Sequence, residues 1–185
     1  MNDDFVRDRE INRTQSIVAR DLRPSSVAHP FAMPNPVLIR RIQQDDFAAW
    51  KPLWDGYNAF YGRKGETALP PEITNATWQC FFHPDEPVFA LVAVSGSKLL
   101  GLAHYLFHRS TTRIELVCYL QDLFTDESER GRGVGRSLIR GVYEEARAAG
   151  IKRVYWHTQQ TNAAARLLYD KVAKHAGFIV YGHDE

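Results

Sequence analysis

The chain is poor in cysteine. Cys80 and Cys118 are the only two, each inside an apolar run, and nothing around them has metal-ligand spacing. A disulfide framework and a cysteine zinc site are therefore not expected, and two reduced thiols fit a cytoplasmic location. The chain is also poor in net charge. Twenty-three Lys and Arg stand against 22 Asp and Glu, a balance of +1, so no global field draws it to nucleic acid or to a membrane surface. No apolar run reaches the roughly 20 residues that span a bilayer, and the N-terminus lacks the hydrophobic region of a secretion signal. Repeats and low-complexity stretches are missing too. What is present is ordinary for one soluble globular domain: 185 residues, 44% hydrophobic and 24% charged.

Residues 1–36 differ from the rest. They are rich in charge, Asn and Ser and end in Pro24, Pro30, Pro34 and Pro36. They read as an N-terminal extension, poorly ordered apart from a short helical pattern over Ile11–Leu22. The domain proper is expected over 37–185. "VLIRRI" (37–42) has the pattern of a strand. A helix follows, with Asp45 as N-cap and Phe47, Trp50, Trp54, Tyr57 and Tyr61 at helical spacing; Pro52 should kink or restart it. "PPEITNATWQCFF" reads as a second helix. "PVFALVAV", "KLLGLAHYLFH" and "RIELVCYLQDLFT" read as three consecutive strands, the first two joined by the tight turn "SGS". Next come a helix over 134–149 stopped by Gly150, a strand over 151–158, a helix over 161–177 and a last short strand, "FIVYG". The order β-α-α-β-β-β-α-β-α-β is an α+β layout, with an antiparallel meander and one β-α-β crossover.

The stretch "RGRGVG" (130–135) puts three glycines where that third helix begins. Glycine is poor inside a helix, but a Gly-rich turn lets backbone N–H groups close on an anion at the helix's positive end. A P-loop requires G-x-x-x-x-G-K-[ST], and no Lys-Ser/Thr follows. A dinucleotide loop requires G-x-G-x-x-G and a carboxylate at the end of the next strand. Here the spacing is G-x-G-x-G and the next strand ends "YWHT".

The stretch "DLFTDESERGRGVGRSLI" instead resembles the acetyl-CoA motif of the GNAT N-acetyltransferases, [Q/R]-x-x-G-x-[G/A], with Arg130, Gly133 and Gly135 in its fixed positions. "TNAAARLLY" resembles the same family's later helix, with Asn162 at its start and Tyr169 seven residues on. The resemblance runs from about Pro36 to the C-terminus. It is nearest the branch of spermidine/spermine, thialysine and yeast histone/polyamine acetyltransferases, which show Y-L-E-D-[FL]-[FY]-V before the loop. It implies a three-layer fold with helices on both faces of a mixed, mostly antiparallel sheet. It implies transfer of acetyl from acetyl-CoA to a primary amine by direct attack through a tetrahedral intermediate, with no metal and with a homodimer as the assembly. Acetyl-CoA would lie on Arg130, Gly131, Arg132, Gly133, Val134, Gly135 and Arg136. The backbone of Leu123, Phe124 and Thr125 would hold its pantetheine arm, and Asn162 and Ala165 would complete the site.

Tyr169 is the expected general acid. A phenol of pKa near ~10 stays protonated at neutral pH and can give its proton to a thiolate of pKa near ~8.5. The acceptor side is expected to include Tyr57 and Tyr61 of the aromatic first helix, Gln121, Asp122 and His157. The aromatics can cage an ammonium group. Gln121 stands where the branch has a glutamate associated with binding and deprotonating the amine, and an amide cannot take a proton. Arg63 and Lys64, just after the aromatic helix, disfavour a polycation and suit an acceptor that also carries a carboxylate. The expected partner is thus a small amine, polyamine or amino-acid-like. A protein lysine or N-terminal acetyltransferase and a non-catalytic acyl-CoA sensor are the alternatives.

Overall fold

Asp46 fixes the start of the first helix. Its carboxylate accepts from the Gln43 N–H at 2.8 Å and from both terminal nitrogens of Arg40 at 2.6 and 2.8 Å. The Arg40 guanidinium holds the Asp46 carboxyl below the usual carboxylate range. The computed structural model describes residues 36–183; the N-terminal extension and its Ile11–Leu22 pattern lie outside the described residues. Nine elements make up the fold: β1 (Leu38–Arg41), α1 (Phe47–Phe60), α2 (Pro71–Cys80), β2 (Val88–Ser95), β3 (Lys98–His108), β4 (Val117–Thr125), α3 (Val134–Ala148), β5 (Val154–Tyr155) and α4 (Ala163–Tyr169). Helix α1 starts one residue later than expected, capped at Asp46, and runs through Pro52 without a second start.

The sheet has the order β1-β2-β3-β4-β5. Its first four strands are antiparallel neighbours, and β5 lies parallel to β4 after the α3 crossover. The meander and the crossover are as the sequence implies. Helix α3 buries Leu138, Ile139, Val142 and Ala146, the stripe read from its spacing. It ends in a Schellman turn: Gly150 (φ 73°) donates to Arg147 O at 3.0 Å and Ile151 to Ala146 O at 2.8 Å.

Three expectations at the C-terminal end are corrected. The strand expected over 151–158 pairs only at Val154 and Tyr155, with Cys118 and Tyr119. The cause lies in β4. Its register passes from Tyr105↔Leu120 to His104↔Asp122, so Gln121 is an extra residue and the strand bends there. Beyond the bulge β4 no longer runs beside β5. The helix expected over 161–177 ends at Tyr169; one further turn follows, in which Val172 and Ala173 donate to the Tyr169 carbonyl at 3.0 and 2.8 Å and the Val172 carbonyl accepts from the Tyr143 hydroxyl at 3.1 Å. "FIVYG" forms no strand. With β5 so short it has no continuous edge to join, and Phe178, Ile179, Val180 and Tyr181 are all exposed.

Helices α1 and α2 cover one face of the sheet and α3 and α4 the other. On the α3 face the core is mainly aliphatic: Leu91, Leu100, Leu120, Val134, Leu138, Ile139 and Val142. On the α1 face it is aromatic, built on Trp50, Trp54 and Tyr57 with Trp78, Phe81 and Phe82 packed against them.

Candidate active site

The glycine loop takes the shape its composition calls for. Gly131 (φ 79°) and Gly133 (φ 84°) lie in the left-handed region, which side chains resist. Gly133 is the N-cap of α3, so the N–H groups of the first turn, Val134 to Arg136, have no carbonyl one turn behind them. Gly135 has a different role. A Cβ there would sit 3.3 Å from Leu168 Cδ2 and 3.5 Å from Thr125 Oγ1, so its hydrogen lets α3 start close to both β4 and α4. The arginines divide. Arg130 lies 5.9 Å from the Phe124 ring centroid and 3.3 Å from Glu127, Arg132 is tied back to Glu129, and Arg136 is exposed with no carboxylate partner among the described residues. Asn162 caps α4: its side-chain oxygen accepts from Ala165 N–H at 3.3 Å and its amide nitrogen donates to Thr158 Oγ1 at 3.2 Å. Leu123, Phe124 and Thr125 lie on β4 past the bulge, where β5 has parted from it.

On the other side of that opening the α1 face supplies a set of polar groups. Asp122 is buried and accepts from His104 Nδ1 at 2.9 Å. The Trp50 indole N–H donates to His104 Nε2 at 3.0 Å. This assigns the tautomer: Nε2 is an acceptor, so the ring proton sits on Nδ1, the imidazole is neutral and its N–H is given to Asp122. The Tyr57 hydroxyl lies within reach of that carboxylate, and burial first, then Asp122, pushes its phenol far up. Tyr61 is pushed up by the same two causes in the same order, and Tyr119 likewise. The Tyr57 and Tyr61 rings are 5.1 Å apart. Tyr119 reaches His157 Nδ1 at 3.3 Å, and His157 is exposed, so this pair leads from the cleft to solvent. Tyr169, at the end of α4, has its phenol pushed up to about 12, by burial and then by Tyr61.

The structure therefore brings Tyr57, Tyr61 and Asp122 together, sets Tyr169 near enough to Tyr61 to feel its charge, and leaves His157 exposed beside Tyr119. Gln121 is the bulged residue and is exposed, while Asp122 takes the inward position. Four residues of this network were not assigned from sequence: Trp50, His104, Asn58 and Tyr119. The trace of His104 was a lone histidine inside the apolar run "KLLGLAHYLFH". Its partners lie 54 and 18 positions away, and no local pattern links them. Two concavities, of ≈ 500 and ≈ 380 Å³, are present; the first lies against Phe81, Phe82 and Phe107, and the second lies between α1 and α2 and includes Asn58 and Arg63, beside the helix that carries Tyr57; neither is lined by Asp122 or Tyr169. Among the described residues no group of three or more His, Cys, Asp or Glu could hold a metal, and no helix is long and apolar enough to cross a membrane.

Comparison with known proteins bears on this geometry. The chain is 35% identical over 147 residues to the D-amino-acid N-acetyltransferase HPA3 of Saccharomyces cerevisiae, covering 78% of this chain and 89% of that protein. It is 26% identical over 145 residues to the uncharacterized N-acetyltransferase YhfO of Bacillus subtilis, covering 77% and 94%. Its fold matches the aminoglycoside N-acetyltransferase AAC(6')-Iy, solved with a bisubstrate analogue of CoA, at a TM-score of 0.69 and 16% identity, over 81% of this chain and 99% of that one. The model of the acetyltransferase (GNAT) family matches residues 50–174, which run from the buried Trp50 past Tyr169. The chain belongs to the GNAT family and is an N-acetyltransferase of it.

Proposed function

We propose that the protein transfers acetyl from acetyl-CoA to the primary amine of a small molecule. One observation supports this reading: β4 past its bulge lies against the glycine loop, through Thr125 and Gly135, and against α1, through Phe124 and Gly56, while Tyr169 is near enough to Tyr61 to feel its charge. The residues present fit the donor. The unpaired first-turn N–H groups of α3 and the positive end of that helix suit a pyrophosphate, and the free strand edge of Leu123 to Thr125 suits an extended amide chain. When bound, acetyl-CoA supplies an acetyl group activated as a thioester.

The chain's own groups supply the rest. The Asp122 carboxylate and the faces of Tyr57 and Tyr61 attract an ammonium group. Tyr119 Oη and His157 Nδ1, 3.3 Å apart with His157 exposed, offer a path for its proton to the surface. Tyr169 Oη holds its proton through the neutral range and is placed to release it to a leaving sulfur. The relatives support a small acceptor: one is named for D-amino acids and a solved neighbour for aminoglycosides. A cytoplasmic location is supported by the two free cysteines. A homodimer is supported by the four consecutive exposed apolar side chains of Phe178 to Tyr181, and gel filtration tests it. The central test is release of CoA thiol across a panel of amines, amino acids and a lysine peptide. Turnover of at least one small amine is expected; thiol release with the peptide alone overturns the small-molecule reading.

A further inference from the structure

We propose that Arg63 is the carboxylate-binding residue of the acceptor site, which makes the acceptor a small zwitterion of the amino-acid class rather than a polyamine. This rests on the acetyltransferase reading above and narrows it to one substrate chemistry.

The side chain is held in place from behind. Asn58 is buried on α1, only 4% exposed. Its amide nitrogen donates to the Trp54 carbonyl at 2.8 Å, which fixes its oxygen to point the other way, and that oxygen accepts from Arg63 Nε at 2.7 Å. The backbone is fixed as well. Gly62, with φ at 84°, turns the chain back after α1, and Arg63 N–H donates to the Asn58 carbonyl at 3.0 Å. The guanidinium then lies 5.6 Å from the centroid of Tyr61 and 6.0 Å from that of Tyr57. Burying an amide is costly unless it is bonded at both ends. Here one end secures the helix and the other secures a single arginine.

The open edge of that arginine faces no acid. Arg40, Arg41, Arg130 and Arg132 each rest on a carboxylate of the chain itself: Asp46, Glu145, Glu127 and Glu129. Arg63 has no carboxylate partner among the described residues. Its Nε is taken by Asn58, so the two terminal nitrogens remain as a fork of the geometry that binds a carboxylate with two parallel bonds.

Arg63 and Asp122 both bear on the same two phenols. The Arg63 guanidinium lies within about 6 Å of both rings, and the Asp122 charge pushes the Tyr57 and Tyr61 hydroxyls up while the Arg63 charge pulls both down. An acid and a base thus share one pair of aromatic rings. A molecule with an ammonium at one end and a carboxylate near it matches both charges. A polyamine would satisfy Asp122 and set a second cation against Arg63, which like-charge repulsion opposes.

The test uses matched pairs: an amino acid and the amine left when its carboxylate is removed, such as phenylalanine and phenethylamine, each as both enantiomers where they exist. Specificity constants come from thiol release with acetyl-CoA, and binding of the same amino acid is read by calorimetry with CoA present. The wild-type protein is expected to prefer the amino acid. Arg63→Gln should lower that preference about 10- to 100-fold, the size of a lost charge-assisted fork, with the change in KM rather than kcat. Arg63→Lys should restore part of it. An amine used as well as its parent amino acid, or a preference that Arg63→Gln leaves intact, overturns the proposal while the acetyltransferase reading stands. If the amino acid binds the wild type, fails to bind Arg63→Gln, and neither it nor any amine is acetylated, the carboxylate site stands and the acetyltransferase reading falls.

Discussion

The two faces of the sheet are built from different materials. Under α3 the packing is mostly Leu, Ile, Val and Ala, with Tyr105 and Cys118 as its polar-capable members. Under α1 tryptophan and tyrosine (Trp50, Trp54 and Tyr57) join aliphatic residues such as Leu53, Val92 and Leu102, and His104, Asp122, Asn58 and Thr74 are buried among them. Aliphatic side chains gain from being removed from water and ask for nothing else. A buried carboxylate does not stay charged without donors, and a buried amide does not stay buried without partners. The α1 face has therefore been fitted with a bonded network, and the network ends at the cleft. One face mainly holds the domain together; the other carries the buried polar groups.

The largest expected effect is on turnover and comes from the cleft. Tyr169→Phe keeps the ring that lies 5.3 Å from Trp156 and removes only the hydroxyl. Loss of a positioned proton donor should lower kcat by about 10²- to 10⁴-fold, with little change in the affinity for acetyl-CoA measured by titration. Turnover within a few fold of the wild type with the preferred acceptor removes Tyr169 from the chemistry.

The next effect is on stability and belongs to the aliphatic face. Leu138 is fully buried. Leu138→Ala deletes packed methyl groups and leaves a cavity, so chemical denaturation should show a loss of about 2.7–5 kcal/mol. Specificity constants measured well below the transition should barely move. A large fall in acceptor specificity with unchanged stability would mean that the two faces are not separate in role.

Trp50→Phe tests the aromatic face from within. It removes the indole that fixes His104 and trims a fully buried ring. The stability cost should be about 2–4 kcal/mol, part cavity and part the unpaired imidazole nitrogen. It also frees the His104 ring to turn away from Asp122, so acceptor KM should rise while KM for acetyl-CoA holds. An unchanged acceptor KM would show that the Trp50 bond does not position Asp122.

These contrasts follow how legible each part was in the sequence. The loop at 130–135 could be read because its requirement is local: backbone N–H groups, positive φ and a helix start all come from neighbouring residues. Asn162 and Tyr169 were legible for the same reason, as a cap and a position seven residues further on one short helix. The meander showed in strand alternation, and the α3 stripe in its spacing. The Gln121 bulge left no such mark. It depends on how two strands share a register, yet it decides that Asp122 turns inward and that β5 pairs over two residues. The turn after α4 is tied by Tyr143, which belongs to another helix. His104 could be read only as one of several histidines able to serve as a base, and Asn58 left no mark, because what they do is hold something remote.

A smaller effect sits in the loop. Gly133→Ala forces a side chain into a left-handed backbone, although open space surrounds the site. Strain of about 1–2 kcal/mol should appear in denaturation, with a matching rise in KM for acetyl-CoA as the first turn of α3 shifts. Unchanged KM with the expected strain would mean that the loop's shape is structural and that the donor is held elsewhere.

The smallest effect compares the faces through a single kind of group, the buried phenol. Tyr57 lies on the aromatic face, Tyr105 on the aliphatic one, and Tyr169 packs against the aliphatic core with its hydroxyl at the cleft. Burial raises all three, Tyr169 to about 12. A phenol raised above its unfolded value near ~10 favours the neutral form in the fold. Its stabilisation is complete below that value and is lost as pH climbs from about 10 through the folded one. Two consequences can be measured. The kcat profile should show no alkaline fall from Tyr169 between pH 7 and 10, since the donor stays protonated there. Stability should decline above pH 10, and Tyr169→Phe, with nothing to ionise at that position, should decline less steeply. A kcat limb centred near 10 that vanishes in Tyr169→Phe would place that hydroxyl in water and not against the aliphatic core.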